Sequence, residues 1–438
     1  MNTTHPPRPR IVITGTGWVT PLGHAIESVW QRMLAGESGV GPITRFDAST
    51  FPTRFCAHVR DYDWRAFVRD AALHEGVLPN TAFALGAASQ AWRDAGLDRF
   101  DAEGGLDHDR LGLYLGCGEG VVDFDSYVGS NLAGWDGERN KIDAARWYAA
   151  AERSMDAVTE LEQEANMPLS HIAMEFGVRG PAYNCLTACA ASTQAIGEAT
   201  EVMRLGDADV MITGGAHTMI HPLGVTGFNR LTALSTRNDS PETASRPFTA
   251  DRDGFVLGEG AGIVILETLD HARRRGATIL GEVLGYGASA DAYRVTDMHP
   301  EGRGPLAAMQ QALDDAGLTP AEIDYISVHG TSTHENDYAE TRAIKRLFGD
   351  RAPQVPMSSV KSMIGHLIAA AGVVETIVCV LAMRDQIVPP TINLHNPDPE
   401  CDLDYVPNTA RQVPVRTCMN NNYGFGGQNN TLILRRYE

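Results

Sequence analysis

Several side chains in this sequence have the types and spacings needed for nucleophilic and proton-transfer chemistry. Cys189 lies in TACAAS, directly after an Asn-Cys-Leu segment and at the start of an Ala-rich stretch. A thiol at a helix N-terminus faces unpaired N–H groups and the positive end of the helix dipole, which lower its pKa and favour attack. The small neighbours Ala188, Ala190 and Ala191 leave room beside the sulfur for an acyl group. A lone cysteine is more often a buried packing residue, so the motif needs company.

That company is two histidines and two charges. His329 opens HGTST after the apolar run DYISV, so it should project from a strand end into a loop, where the functional groups of α/β proteins collect. His366 follows a glycine in KSMIGHLIAAAG, near the start of a helix. Each alone reads as readily as a structural histidine. Together they offer two imidazoles able to hydrogen-bond a thioester carbonyl oxygen, as decarboxylation to an enolate requires. Lys361 stands five residues before His366, and Glu375 fourteen beyond Lys361, a spacing suited to an internal ion pair as well as to solvated surface charges. Asp337 and Glu340, i and i+3 in HENDYAETRA, can face one side of a helix and support the same region.

The tail NNYGFGGQNN is a poor helix, and its glycines let backbone approach a ligand closely. It lacks the lysine and strand–helix context of a phosphate-binding loop. Phe425 among three glycines suits either a surface turn or a mobile gate with a free backbone N–H.

The elements that must position these groups alternate along the chain. RIVITG, AFALGAASQAWRDAG, RLGLYLGCG, ASTQAIGEATEVMRLG and ADVMITGGA read as strands and helices of an α/β fold with largely parallel sheets. The second part replays the first: ILGEVLGYGASADAY resembles the opening strand, and AAMQQALDDAGL echoes SQAWRDAGL. Likewise, SSVKSMIGHLIAAAGVVETIVCVLAMRDQ parallels NCLTACAASTQAIGEATEVMRLGDAD. An internal duplication with its join near Arg275 and Gly276 is the expected architecture, against the plainer reading that any α/β protein repeats strand–helix units. One stretch breaks the rhythm: residues 142–166 form a helix candidate with Trp147, Met155, Val158 and Leu161 along one face, a cap or interface element.

Bulk properties narrow the function. A chain of 438 residues with 43% hydrophobic content can bury a large core. No run of about 18 apolar residues exists, and the polar start MNTTHPPRPR predicts no export signal, hence a cytoplasmic protein without membrane insertion. Seven cysteines without a Cys-x-x-Cys pair indicate reduced thiols rather than disulfides or a zinc site. A formal charge of −19 opposes nucleic acid and anionic membranes as partners.

TACAAS, SRPFTADRDGFVLGEGAG, HGTST, KSMIGH and YGFGGQN, in this order, resemble the β-ketoacyl-acyl-carrier-protein synthases, closest to the type II elongation enzymes, from about Ile11 to the C-terminus. The resemblance implies a thiolase fold of two duplicated α/β halves in a five-layer α-β-α-β-α sandwich. Residues 1–275 would carry the nucleophile and 276–438 both histidines. It implies Cys189 as nucleophile, His329 and His366 completing a Cys-His-His triad, and backbone N–H groups of Cys189 and Phe425 as oxyanion hole. Lys361 with its partner Glu375 would support the triad, as would Asp337 and Glu340. Thr331 and Thr333 would contact a phosphopantetheine arm, Phe228 would bind substrate, and Phe425 would gate. The expected reaction is decarboxylative Claisen condensation with malonyl-acyl carrier protein, with no cofactor beyond the carrier's arm. The expected partners are that carrier and a second copy of the chain, or a related subunit.

Several positions depart from the pattern. Glu119 in GCGEG stands where an apolar acyl-pocket residue is expected; HEND follows HGTST; Gln428 replaces a usual Thr. The region between Cys117 and Gly180 is long, and AALHEGVLPN lacks a basic cluster, leaving Arg139, Lys141, Arg65, Arg69 and Arg230 as candidates for a carrier-binding rim. These departures keep open a specialised ketosynthase of a type II polyketide or aryl-polyene pathway. A non-catalytic chain-length partner would lack Cys189, and a thiolase would need a second cysteine base that HGTST and GFGGQN do not offer.

Overall fold

The β-branched run IVITGTGWV is extended and wholly buried, forming β1 (Ile11–Val19). The computed structural model describes residues 8–118 and 120–438. Glu119 therefore lies outside the described residues. Among the described residues nine further strands join β1 in one sheet: β2 (Leu111–Cys117), β3 (Ala182–Cys185), β4 (Val210–His217), β5 (Gly260–Thr268), β6 (Gly281–Ala290), β7 (Tyr325–Ser327), β8 (Met357–Ser358), β9 (Thr417–Gly424) and β10 (Gln428–Arg435). Their order is β8-β7-β9-β10-β6-β1-β5-β4-β2-β3.

Read outward from the centre, each set of five has its first strand innermost, then its fifth, fourth, second and third. Strand directions repeat as well: β1/β5 and β5/β4 are antiparallel and β4/β2/β3 parallel, as are β6/β10, β10/β9 and β9/β7/β8 in turn. Even the bulge recurs, between Ile13 and Gly15 in β1 and between Val283 and Gly285 in β6. Antiparallel pairing of Ile11–Ile13 with Gly281–Val283 joins the two sets.

The helices that position the site are α1 (Pro79–Asp94), α2 (Ala144–Ser154), α3 (Ala157–Glu162), α4 (Met167–Phe176), α5 (Ala191–Arg204), α6 (Pro222–Arg230), α7 (Arg303–Ala316), α8 (His334–Phe348) and α9 (Ala371–Asp385). Small residues set their distances from the sheet. A side chain at Gly15 would strike the backbone of Ala91 on α1, and one at Gly285 would strike Ala312 on α7, each at 2.2 Å. Thus α1 and α7 lie close on the outer faces of their halves. Between the halves run α5 and α9, each touching strands of both. In α9, AGVVETIVCVLAMRD is buried on every side from Ala371 to Met383, which accounts for its lack of polar face. Burying each Val, Ile or Leu there stabilises by about 1.5–3 kcal/mol relative to exposure. The layers are therefore helix, sheet, helix, sheet, helix.

The stretch 142–166 is not one helix. Asp156 caps a new one, accepting the N–H groups of Val158 and Thr159, so α2 ends at Ser154 and α3 starts at Ala157. An Asp followed by free amides outcompetes helix continuation there. Val158 and Leu161 are exposed instead of forming a buried stripe with Trp147.

Candidate active site

Cys189 sits where β3 hands over to α5. The turn Ala188–Ala190 precedes the helix, and Ala188 takes a left-handed φ of 49°, lifting the next residue to the helix mouth. The thiol is 4% exposed. The tail folds as a hairpin turn between β9 and β10 and brings backbone against this turn. A side chain at Gly424 would strike the Thr187 carbonyl at 2.6 Å, so only glycine fits.

His329 follows β7, and its backbone is held by a buried carboxylate. Glu340 on α8 accepts the N–H groups of His329 and Gly330, each at 2.9 Å. Burial raises Glu340 to about 8. Asp337, one turn earlier, accepts the N–H groups of Phe248 at 2.9 Å and Ser332 at 3.3 Å, and pairs with Arg252 at 3.4 Å. Burial raises Asp337, with Arg252 opposing. Both carboxylates therefore face inward, as their i, i+3 spacing suggests.

His366 is fixed through its main chain, donating to Val256 O at 2.7 Å and accepting from Gly258 N at 2.9 Å. Its ring meets that of His329 edge-on, with centroids 5.3 Å apart at 83°. A ring nitrogen of each histidine and the Cys189 sulfur all lie within 4.8 Å of one another. Among the described residues this is the one group of histidine, cysteine or acidic side chains with the spacing of metal ligands. Burial holds both imidazoles well below their usual range, helped by the nearby Lys361 ammonium, so both are neutral.

Lys361 is wholly buried and forms its ion pair with Glu375, whose second oxygen accepts from Asn422 Nδ2 at 2.5 Å. Burial raises Glu375, with Lys361 opposing. The sequence reading expects a lowered Cys189 pKa. Burial instead pushes the thiol up to about 12, opposed by Lys361 and by the backbone N–H groups of Phe425 and of Cys189 itself. Desolvation outweighs the helix end in the closed site.

A cavity of about 310 Å³ opens over these groups, lined by Cys189, His329, His366, Phe425, Thr331 and Thr333 among others. The two threonine hydroxyls lie 2.9 Å apart. Phe228 on α6 packs edge-on against Phe255 in the apolar cluster that also holds Cys189. Thr232 lines the same cavity. Of the basic candidates, Arg65 pairs with Asp63, Arg69 with Glu175 and Arg139 with Asp136, while Lys141 and Arg230 are exposed.

Some neighbours of the triad escape a sequence reading. Tyr423 stacks edge-on to His329 at 5.5 Å, and Arg252 lines the cavity. His217, at the end of β4, is buried with neither ring nitrogen hydrogen-bonded among the described residues, and burial pushes it down to about 4. Its ring lies where a Gly118 side chain would fall, at 2.5 Å. The available signal is an ionisable residue closing an apolar eight-residue strand.

Known proteins share this arrangement. Residues 8–272 match the family description "Beta-ketoacyl synthase, N-terminal domain" and residues 280–395 "Beta-ketoacyl synthase, C-terminal domain". The chain is 45% identical over 427 residues to the 3-oxoacyl-[acyl-carrier-protein] synthase 2 of Coxiella burnetii, covering 98% of each. It is 38% identical to that of Staphylococcus aureus, covering 98% of this chain and 99% of the relative. Among solved structures, the ishigamide ketosynthase/chain length factor superposes with a TM-score of 0.87 at 35% identity, over 98% of this chain and 100% of that one. A type II polyketide ketosynthase bound to a hexaketide, in complex with its acyl-carrier protein, superposes at 0.85 and 32% identity over the same shares. With matches to both family domains and relatives over nearly its whole length, the chain belongs to the β-ketoacyl synthase family.

Proposed function

We propose that this chain joins an acyl thioester to a malonyl thioester, both presented by an acyl carrier protein, through Cys189, His329 and His366. The convergence of the three side chains within 4.8 Å on one cavity carries the reading. In the first half-reaction the Cys189 sulfur attacks the acyl carbonyl. The carrier's pantetheine thiolate leaves and takes up the proton given up by Cys189. In the second, the bond between the malonyl α-carbon and its carboxylate breaks, carbon dioxide departs, and the electron pair becomes an enolate. The two neutral imidazoles stabilise its oxygen by hydrogen bonding. The α-carbon then attacks the acyl-cysteine carbonyl, and Cys189 leaves as thiolate. The N–H groups of Cys189 and Phe425 receive the transient oxyanion.

In this reading Lys361, paired with Glu375, positions the helix start that carries His366, while Glu340 and Asp337 position the His329 loop. Thr331 and Thr333 line the pantetheine approach. Phe228 borders the acyl chain, and Phe425, in the hairpin turn, gates between the half-reactions. The two halves divide near Arg275–Gly276, before β6. Loss of carbon dioxide generates the carbanion without a strong base, so the reaction needs no cofactor beyond the carrier's arm.

The carrier is acidic in this view and meets the cavity mouth near Arg230. The chain acts as a cytoplasmic homodimer. Its edge strand β3 has only one neighbour among the described residues and exposes Tyr183, and Leu186 follows it into the open, which favours a second copy there. Among the described residues no helix is long and apolar enough to cross a membrane.

The superposition on a type II polyketide ketosynthase and on a ketosynthase/chain length factor favours a second reading, a specialised pathway with a related partner subunit. Intact-mass analysis of wild type and Cys189→Ala, offered carriers with saturated, unsaturated and aromatic acyl chains and then malonyl carrier, tests both. Cys189-dependent acylation and a β-keto product two carbons longer are expected, and the preferred chain separates the pathways. Absence of acylation by every primer would sink the proposal.

A further inference from the structure

A second buried cluster lies away from the cavity. Glu162 on α3, His171 and Glu175 on α4, and His74 are each no more than 5% exposed. They form a single file: Glu175 Oε2 is 3.0 Å from His74 Nε2, His74 Nδ1 is 2.9 Å from His171 Nδ1, and His171 Nε2 is 2.9 Å from Glu162 Oε1. Three hydrogen bonds need three protons. Two neutral imidazoles beside two carboxylates supply only two, one per ring. With each Nε2–H given to its carboxylate, two Nδ1 lone pairs would face each other at 2.9 Å. The closed file therefore holds one proton more than its four groups carry in water above neutrality.

Its surroundings are specific. Glu175 Oε1 accepts the Arg69 backbone N–H at 2.8 Å, with Arg69 Nε at 3.4 Å. Arg93, Asp98 and Asp101 share a small cavity with Glu175. Trp64 packs edge-on to His74 at 6.1 Å, and the Arg65 guanidinium lies over the Trp64 ring. Glu162 Oε2 is buried without a hydrogen-bond partner among the described residues.

What the file holds is α3, whose one buried residue is Glu162. The next residue, Gln163, accepts the Gly120 N–H at its carbonyl, at 3.0 Å, and the Asp123 N–H at Oε1, at 3.3 Å. Glu162 and Gln163 thus tie the segment after β2 to the body of the protein.

We propose that Glu162, His171, His74 and Glu175 form a proton-loaded clamp that fastens α3 and residues 120–123, holding hardest near the ordinary imidazole range and loosening on both sides. Opened and hydrated, the four groups bind two protons well above about pH 6.5 and four well below it, against three when closed. Opening releases one proton on the alkaline side and takes one up on the acid side. The opening equilibrium is therefore lowest near about pH 6.5 and approaches a tenfold rise per pH unit well to either side.

Amide hydrogen exchange of residues 157–163 in the full chain, corrected for intrinsic rates and referenced to α9, reads this directly. Glu162→Gln is the decisive variant, because its amide N–H supplies the missing proton. The file from the new side-chain amide through His171 and His74 to Glu175 then closes with two neutral rings. The wild type is expected to open about 25-fold more at pH 8.5 than at pH 6.5, and Glu162→Gln to show no rise over that range. A carboxylate that served only as a charge partner would make Glu162→Gln open more at every pH. That result, or a flat wild type, would overturn the clamp. Should the variant not fold, ¹⁵N-histidine spectra of the wild type decide: a nitrogen–nitrogen scalar coupling across the Nδ1 pair at pH 6.5 is expected, and its absence refutes the shared proton.

Discussion

His366 accepts, at Nδ1, the backbone N–H of Ile368 two residues further along, at 3.2 Å. Because burial keeps the ring neutral, its one proton resides on Nε2, turned away from its own helix start. In the proposed reaction this fixes an N–H donor for a substrate oxygen without any change of tautomer.

His366→Ala should consequently lower condensation by about 100- to 1,000-fold, the usual loss on removing one oxyanion donor. Acyl transfer to Cys189 should persist. Intact mass and carbon dioxide release separate the two steps, and an equal loss of acylation would contradict this division of roles.

The Lys361–Glu375 pair is buried on both sides. Glu375→Gln leaves an ammonium without its counter-charge in the interior and should cost about 3–5 kcal/mol in urea unfolding. Lys361→Met combined with Glu375→Leu should recover much of that stability, since packing replaces the pair. Recovered stability without recovered activity would identify the pair as a positioning device for His366.

For Cys189, a thiol pushed up to about 12 stays protonated through neutral pH. The folded state keeps a proton that the unfolded chain, with an ordinary cysteine near about 8.5, gives up. Stability from this group is complete below about pH 8.5 and is lost as pH climbs toward about 12. Relative to Cys189→Ala, the wild type should weaken progressively above about pH 8.5 in chemical unfolding. Iodoacetamide labelling of Cys189 should still be accelerating at about pH 10, and a plateau near about pH 8 would show that the helix mouth outweighs desolvation.

Glu340→Gln tests the His329 loop. The carboxyl accepts two backbone N–H groups. An amide can accept only one of them, since its NH₂ faces the other. A cost of about 1–3 kcal/mol is expected for the stranded donor, with condensation reduced and Cys189 acylation less affected. Equal activity in a stopped assay would remove Glu340 from the positioning set.

Much of the site is legible in the sequence because its groups sit at strand ends and helix starts, where local pattern and geometry coincide. Cys189 after an apolar segment, His329 after DYISV and His366 before an Ala-rich helix all fall where their sequence contexts point. The Lys361–Glu375 contact is legible too, because KSMIGH and α9 are neighbours in the chain. The edge-on contact of Tyr423 with His329 is not, since it joins β9 to the end of β7, and neither is the burial of His217, which depends on the whole fold. The break at Asp156 is hidden for a different reason: the apolar spacing of Trp147, Met155, Val158 and Leu161 masks a capping residue between them. The Cys189 pKa departs from its sequence expectation because burial depends on the whole fold, while a helix start can be read locally.

The two halves enter their central helices by the same turn. Ala188 has φ 49° before α5 and Ile368 has φ 46° before α9, so Ala369 occupies in the second half the seat that Cys189 holds in the first. One copy of the motif carries the sulfur that attacks in the proposed reaction; the other has an alanine in that seat and holds His366 just upstream. Under the proposed reaction, each half expressed alone would hold an incomplete centre, a sulfur without its two imidazole donors or the donors without a sulfur. The proposed activity would thus be a property of the seam between the repeats, and any change that shifts one repeat against the other should be felt as chemistry before it is felt as unfolding.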